Sequence, residues 1–176
     1  MAITALKPLF TAEEIQRRVR EIAAEVDEMY GQEPLVVICV LKGGFMFFTD
    51  VVRHLRNPNV QVDFVRLSSY GKGTSSRGQV SFTKDVEISL AGKHVLVIED
   101  LVDSGLSMQF LLSTLAQRGA KTLRLAILLD KHERRKVEIH ADFIGFSLQS
   151  GFVVGYGTDC GELYRNLPAI YEAVTD

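Results

Sequence analysis

Chemistry concentrates in one stretch of the chain, Val95-Leu-Val-Ile-Glu99-Asp100-Leu-Val-Asp103-Ser104-Gly105-Leu106-Ser107. An apolar strand runs into the adjacent acids Glu99 and Asp100. A third acid, Asp103, follows, and a Ser-Gly-x-Ser turn then opens a helix. In open α/β sheets ligands collect at the carboxyl ends of strands. A helix amino terminus with small hydroxyl residues and a glycine offers free backbone N–H groups to an anion. Three carboxylates beside a phosphate would repel it unless they meet ribose hydroxyls, which donate hydrogen bonds, or a divalent metal. A ribose 5-phosphate satisfies both halves, with its phosphate at the turn and its hydroxyls at the acids. The plainer alternative is that Asp103 or Ser104 merely caps the helix while Glu99 and Asp100 face water. There is no Gly-Lys-Ser/Thr phosphate loop and no G-x-G-x-x-G dinucleotide turn.

The flanking pattern is that of an α/β domain. Thr11-Ala12-Glu13-Glu14 reads as a capping box, and Ile15, Val19, Ile22, Val26 and Met29 continue an amphipathic helix closed by Gly31 and Pro34. Residues 35–40 form a continuous apolar run, as in a strand covered on both faces. Gly43-Gly44 leads into a helix over 45–55. Val60, Val62 and Phe64 alternate with Gln61 and Asp63, which predicts a strand whose wetter face carries those two polar residues. Residues 68–79 are poor in apolar side chains and suggest a mobile loop acting as a lid. Val80, Phe82, Val86, Ile88 and Leu90 suggest the partner strand of a hairpin. A helix reaching Gly119, a strand over 123–129 and short strands near 143–146 and 152–156 complete the reading. Strands alternating with helices imply a mainly parallel central sheet flanked by helices.

The totals agree with one domain spanning residues 1–176. A globular chain of this size buries roughly 70% of its unfolded surface and needs no staple. With 47% hydrophobic and 24% charged residues and a net charge of −2, the composition is that of an ordinary globular protein. The basic run at 131–136 is too short for a nucleic-acid footprint, and apart from Lys131 it reads as a solvated turn. Cys39 and Cys160 form no C-x-x-C pair, and Cys39 reads as a buried thiol. No signal-peptide pattern or membrane-length apolar run is visible, so the expectation is a reduced, cytoplasmic protein without membrane or nucleic-acid partners.

The acid-pair segment resembles the thirteen-residue signature of type I phosphoribosyltransferases, which bind 5-phosphoribosyl 1-diphosphate. The resemblance spans roughly residues 8–170 and is nearest to the bacterial hypoxanthine-guanine branch. It is carried by Leu41-Lys42-Gly43-Gly44, Ser68-Ser69-Tyr70-Gly71, Leu128-Leu129-Asp130-Lys131 and Asp142-Phe143-Ile144-Gly145-Phe146. Further blocks are Phe152-Val153-Val154-Gly155-Tyr156-Gly157, Asp159, and Tyr164-Arg165-Asn166-Leu167-Pro168.

The resemblance implies that fold, with a small hood formed by the termini, and a Mg2+-dependent transfer of the phosphoribosyl group to a 6-oxopurine. Glu99 and Asp100 would hold ribose hydroxyls directly or through Mg2+, with Asp159 close to a metal. Backbone groups from Asp103 through Ser104, Gly105, Leu106 and Ser107 would hold the 5′-phosphate, and Asp103 would act as acid/base at purine N7. Lys131 would donate to the 6-oxo oxygen, Phe152 would stack on the purine, and Val153 and Asp159 would offer carbonyls near its 2-position. Lys42, Gly43 and Arg165 would face pyrophosphate, with the Leu41–Lys42 peptide cis, and Ser69 and Tyr70 would close the lid. A homodimer or homotetramer is the implied assembly. Ser104 and Ser107 replace commoner threonines. Gln149-Ser150-Gly151 and Cys160 depart from the pattern beside the base pocket, which leaves the base preference open. Two rivals are a phosphoribosyl-diphosphate-sensing regulator on the same fold and a receiver-like domain, the latter leaving Lys131, Phe152 and Arg165 without a role.

Overall fold

The computed structural model describes residues 3–70 and 79–175, so positions 71–78 of the expected lid lie outside the described residues; at Ser69 and Tyr70 the description is of the backbone. A six-stranded sheet has the order β4 (Gln79–Lys84), β3 (Val60–Tyr70), β2 (Leu35–Leu41), β5 (His94–Val102), β6 (Thr122–Lys131), β7 (Phe143–Leu148). All neighbours are parallel except the β3–β4 hairpin. Helices α1 (Ala12–Tyr30) and α2 (Phe45–His54) cover one face, and α3 (Leu106–Ala116) covers the other.

Alternation along the central strands serves both layers. Val37, Cys39, Leu96, Ile98, Ala126 and Leu128 pack with Ile15, Val19 and Phe47. Their neighbours Val36, Ile38, Val95, Val97, Leu125 and Ile127 pack with Met108, Leu111 and Leu115. Two buried faces explain the unbroken apolar runs. The capping box forms as expected, Thr11 accepting from Glu14 N and Glu14 accepting from Thr11 N. On α1, Tyr30 takes the buried position expected of Met29, which is exposed.

The termini build a second sheet, β1 (Ile3–Phe10), β9 (Ile170–Thr175) and β8 (Val153–Val154), antiparallel throughout. It is the hood that the family resemblance implies. Local pattern gives no sign of β1 or β9, because the burial along β1 follows neither a period of two nor a continuous run. Among the described residues no helix is long and apolar enough to cross a membrane. Cys39 and Cys160 are free thiols.

The expectation for β3 is corrected. Val62 is 44% exposed and Asp63 only 4%. The Asp63 carboxylate accepts from the backbone N–H groups of Phe64 (2.7 Å), Glu87 (2.7 Å) and Ile88 (2.9 Å), with Lys84 Nζ at 3.6 Å. Those bonds also explain why strand β4 stops at Lys84 instead of running on through Val86 to Leu90: the segment beyond it hydrogen-bonds a side chain, not a ladder. Burial pushes the Asp63 carboxyl up, but the N–H groups of Ile88, Phe64 and Glu87, then Lys84, outweigh it and hold it below the usual aspartate range. Asp63→Asn should therefore cost about 1–3 kcal/mol at neutral pH, seen as a lower urea midpoint at unchanged slope. A depressed carboxyl stabilises the fold above its unfolded pKa of about 3.9 and loses that contribution as pH falls through the folded value. The gap between wild type and variant should narrow on acidification.

Candidate active site

Strand β5 continues through its acids to Val102, with Glu99 opposite Ile127 and Val102 opposite Asp130 on β6. Glu99 accepts a 3.0 Å hydrogen bond from Asp100 N. Burial, then the adjacent Asp100 charge, holds the Glu99 carboxyl well above its ordinary range, and among the described residues no cation offsets them. Beyond Val102 the chain turns through Asp103 and Ser104 to Gly105, whose φ of 82° suits a residue without Cβ. A Cβ there would also press on the Val137 carbonyl at 2.8 Å. Helix α3 starts at Leu106, whose N–H points to Ser104 Oγ at 3.4 Å. Glu99, Asp103, Ser104, Gly105 and Ser107 line a recess of about 180 Å3 around this turn.

A larger cleft of about 400 Å3 adjoins it, lined by Asp100, Asp103, Lys131, Phe152, Val153 and Asp159 among others. Leu101 and Asp103 line both. Lys131, at the end of β6, is only 6% exposed, while its Nζ stands 3.7 Å from Asp103 Oδ2 and 3.4 Å from Glu133 Oε2. Asp103 Oδ1 is buried with no hydrogen-bond partner. Across the cleft Phe152 leaves 41% of its surface open, whereas Val153 beside it is buried in the hood sheet. The cleft wall also includes Glu133, Arg134 and Thr158, which sequence reasoning did not single out.

At the end of β2 the Leu41–Lys42 peptide bond is cis. A Cβ on Gly43 would collide with the Asp100 carboxylate, and one on Gly157 would collide with the Gly43 carbonyl. The hood loop and the β2 turn thus meet backbone to backbone at the acid pair. Arg165 donates to the Gly157 carbonyl at 2.7 Å and pairs with Asp159 Oδ1 at 2.8 Å. Asp159 Oδ2 accepts from Glu162 N at 2.7 Å. Among the described residues no three His, Cys, Asp or Glu side chains converge on one point, so Glu99, Asp100 and Asp159 do not form a ready-made cage.

Arg135, inside the run read as a solvated turn, is a correction. Its guanidinium donates to the carbonyls of Asp103 (2.9 Å), Val102 (3.2 Å) and Lys131 (3.0 Å) and pairs with Asp130. One side chain thereby ties the exits of β5 and β6 together. Its four-residue spacing from Lys131 carries no signal, because the segment is not helical.

The "Phosphoribosyl transferase domain" family model matches residues 7–160. The hypoxanthine-guanine phosphoribosyltransferase of Aquifex aeolicus is 45% identical over 94% of this chain and 93% of its own. The hypoxanthine-guanine-xanthine phosphoribosyltransferase of Tritrichomonas foetus is 40% identical over 92% of this chain and 88% of its own. A crystal structure of a Bacillus anthracis hypoxanthine-guanine phosphoribosyltransferase superposes with a TM-score of 0.88 at 42% identity, covering 99% of this chain and 100% of that one.

Replacing Arg135 by Met should cost about 2–4 kcal/mol, since it strands a nearly buried carboxylate and the carbonyls it served. Adding Asp130→Leu should recover part of that loss by removing the orphaned charge. Urea midpoints of the two single variants and the double variant test this.

Proposed function

The chain belongs to the phosphoribosyl transferase domain family, and on that premise we propose that it salvages a 6-oxopurine, hypoxanthine or guanine. The base is joined through N9 to the ribose 5-phosphate of 5-phosphoribosyl 1-diphosphate, with release of pyrophosphate. The observation that carries this reading is Asp103 at the junction of the two cavities. On one side the Ser104–Ser107 turn suits a 5′-phosphate, with Glu99 and Asp100 nearby for the ribose hydroxyls. On the other side a buried ammonium and an open aromatic face suit a purine carrying a carbonyl.

In the reaction the N9 lone pair forms the bond to the sugar's anomeric carbon as the bond to pyrophosphate oxygen breaks, its electron pair leaving with pyrophosphate. The proton on N7 passes to the carboxylate of Asp103, the residue that lines both cavities. Lys131 donates to the 6-oxo oxygen, which fixes the base as N7 loses its proton, and Phe152 stacks on the ring. Val153 and Asp159 offer carbonyls near the 2-position. Lys42, Gly43 and Arg165 receive the pyrophosphate. Two adjacent carboxylates without a counter-charge suit a hard divalent ion that takes its remaining ligands from water and substrate. Glu99 and Asp100 would hold Mg2+, joined by Asp159 once Arg165 releases it, and the ion would neutralise diphosphate charge. A cytoplasmic homodimer or homotetramer acting without nucleic acid belongs to the same proposal.

Nucleotide formation from phosphoribosyl diphosphate, Mg2+ and each purine in turn tests the reading directly. Asp103→Asn should lower kcat about 10²–10⁴-fold; near-normal turnover would remove Asp103 from the chemistry. An ammonium has donors and no acceptor, so adenine's amino group leaves it unpaired. Sites built on one hydrogen-bond pattern can discriminate by about 10⁴-fold. Lys131→Met should therefore lower kcat/KM for hypoxanthine and collapse the hypoxanthine-to-adenine ratio. An unchanged ratio would move specificity to the backbone around Val153.

A further inference from the structure

One exposed acid sits between the two cations that the proposed chemistry assigns to pyrophosphate. Glu162 Oε2 lies 2.9 Å from Lys42 Nζ and 3.3 Å from Arg165 Nη2. A single carboxylate oxygen therefore bridges the two side chains assigned above to pyrophosphate, although they come from opposite sides of the site, the β2 turn and the hood. The backbone is built to aim it there. Cys160 and Leu163 exchange hydrogen bonds of 3.2 and 3.1 Å across a tight turn, and Asp159 Oδ2 accepts from Glu162 N. Glu162 itself has φ 71°, a conformation that residues other than glycine seldom adopt. Gly161 before it has φ 59°, so the two form the centre of a turn that requires φ > 0 at both positions, and its closing bonds fix where the Glu162 side chain starts.

We propose that Glu162 is an internal stand-in for the leaving group: its carboxylate occupies the pyrophosphate cations, yields to the diphosphate when substrate binds, and returns as pyrophosphate departs. The inference rests on the assignment of Lys42 and Arg165 to pyrophosphate. An anion that binds must first displace one already paired, so affinity for the diphosphate falls. An anion that leaves does not strand Lys42, while Arg165 has Asp159 at 2.8 Å as well as Glu162 at 3.3 Å, so release is eased. Lys42 and, after it, Arg165 hold the Glu162 carboxyl below its ordinary range, so it is charged at neutral pH and able to compete. Both side chains of the Lys42 pair are largely exposed, and exchanges between exposed pairs are modest, about two- to fivefold in affinity.

Binding of inorganic pyrophosphate with Mg2+, measured by titration calorimetry on the full chain, tests the proposal. Glu162→Gln should bind pyrophosphate about two- to fivefold more tightly. Glu162→Asp keeps the charge but withdraws the carboxylate by one methylene, and should share the gain. Affinity for inosine 5′-monophosphate, which has a 5′-phosphate and no diphosphate, should be unchanged in both. Weaker or unaltered pyrophosphate binding in Glu162→Gln would overturn the proposal and make Glu162 a positioning residue for the cations. Equal tightening of both ligands, or a Glu162→Asp variant that behaves as wild type, would overturn it in favour of a general field effect. Lys42→Met separates the inference from its premise: unchanged pyrophosphate affinity would dismiss the assignment of Lys42, and the stand-in with it. Weakened binding there, without a gain in Glu162→Gln, would dismiss the stand-in alone.

Discussion

At one point beside the cleft, between the carboxyl edge of the main sheet and the hood, there is room for backbone and nothing more. Gly157 sits so close to the Gly43 carbonyl, and Gly43 so close to the Asp100 carboxylate, that a methyl group on either would force them apart. This double approach brings two separately folded surfaces into one site. Tyr156 OH reinforces it with a 2.5 Å bond to Asp50, itself bonded at 2.6 Å to Gln16, so the hood loop is pinned to both α1 and α2. Burial, then Asp50, pushes the Tyr156 hydroxyl far above its usual range and keeps it a donor. If the hood were displaced, Lys42 and the Arg165–Asp159 pair would no longer face each other, and the cleft would lose Phe152.

The main sheet makes the opposite kind of contribution. Its central strands are apolar on both faces, so their carboxyl ends are where side chains with chemistry can reach water. Strand β5 takes this furthest, holding Glu99 and Asp100 in an unbroken strand over a buried Cys39 thiol. Burial, then the charges of Glu99 and Asp100, pushes that thiol up to about 12. Placing unpaired acids there is unfavourable in isolation. The arrangement becomes favourable only with hydroxyl donors or a cation opposite, the two kinds of partner proposed above.

What was legible in the sequence followed from repeated local chemistry. The apolar runs of β2, β5 and β6, the capping box of α1 and the acid pair with its Ser-Gly-x-Ser turn each express their structure within about ten residues. Asp63 misled because alternation assigns a face by polarity, whereas this carboxylate is buried as a multiple acceptor for another segment's backbone. Arg135 and Glu162 escaped for a related reason. Their partners lie 32–33 and 120 residues away in sequence, apart from those in their own turns, and a charged residue in a charged or polar stretch looks solvated until the fold closes. Strands β1 and β9 are marginal by pattern and become strands by pairing with each other.

That last pairing sets an order of events during synthesis. Strand β9 contributes the N–H of Ala173 to the Phe152 carbonyl and is the partner of both β1 and β8. It is also translated after every residue assigned to the site. A ribosome-bound chain can complete β2, β5, β6 and the turn after β5 while Ile3–Phe10 still waits for a partner. The turn suited to the sugar phosphate is therefore translated before Phe152 and before the strand that holds it. The aromatic wall of the cleft is set only when Ile170–Thr175 pairs with β8 and with Ile3–Phe10.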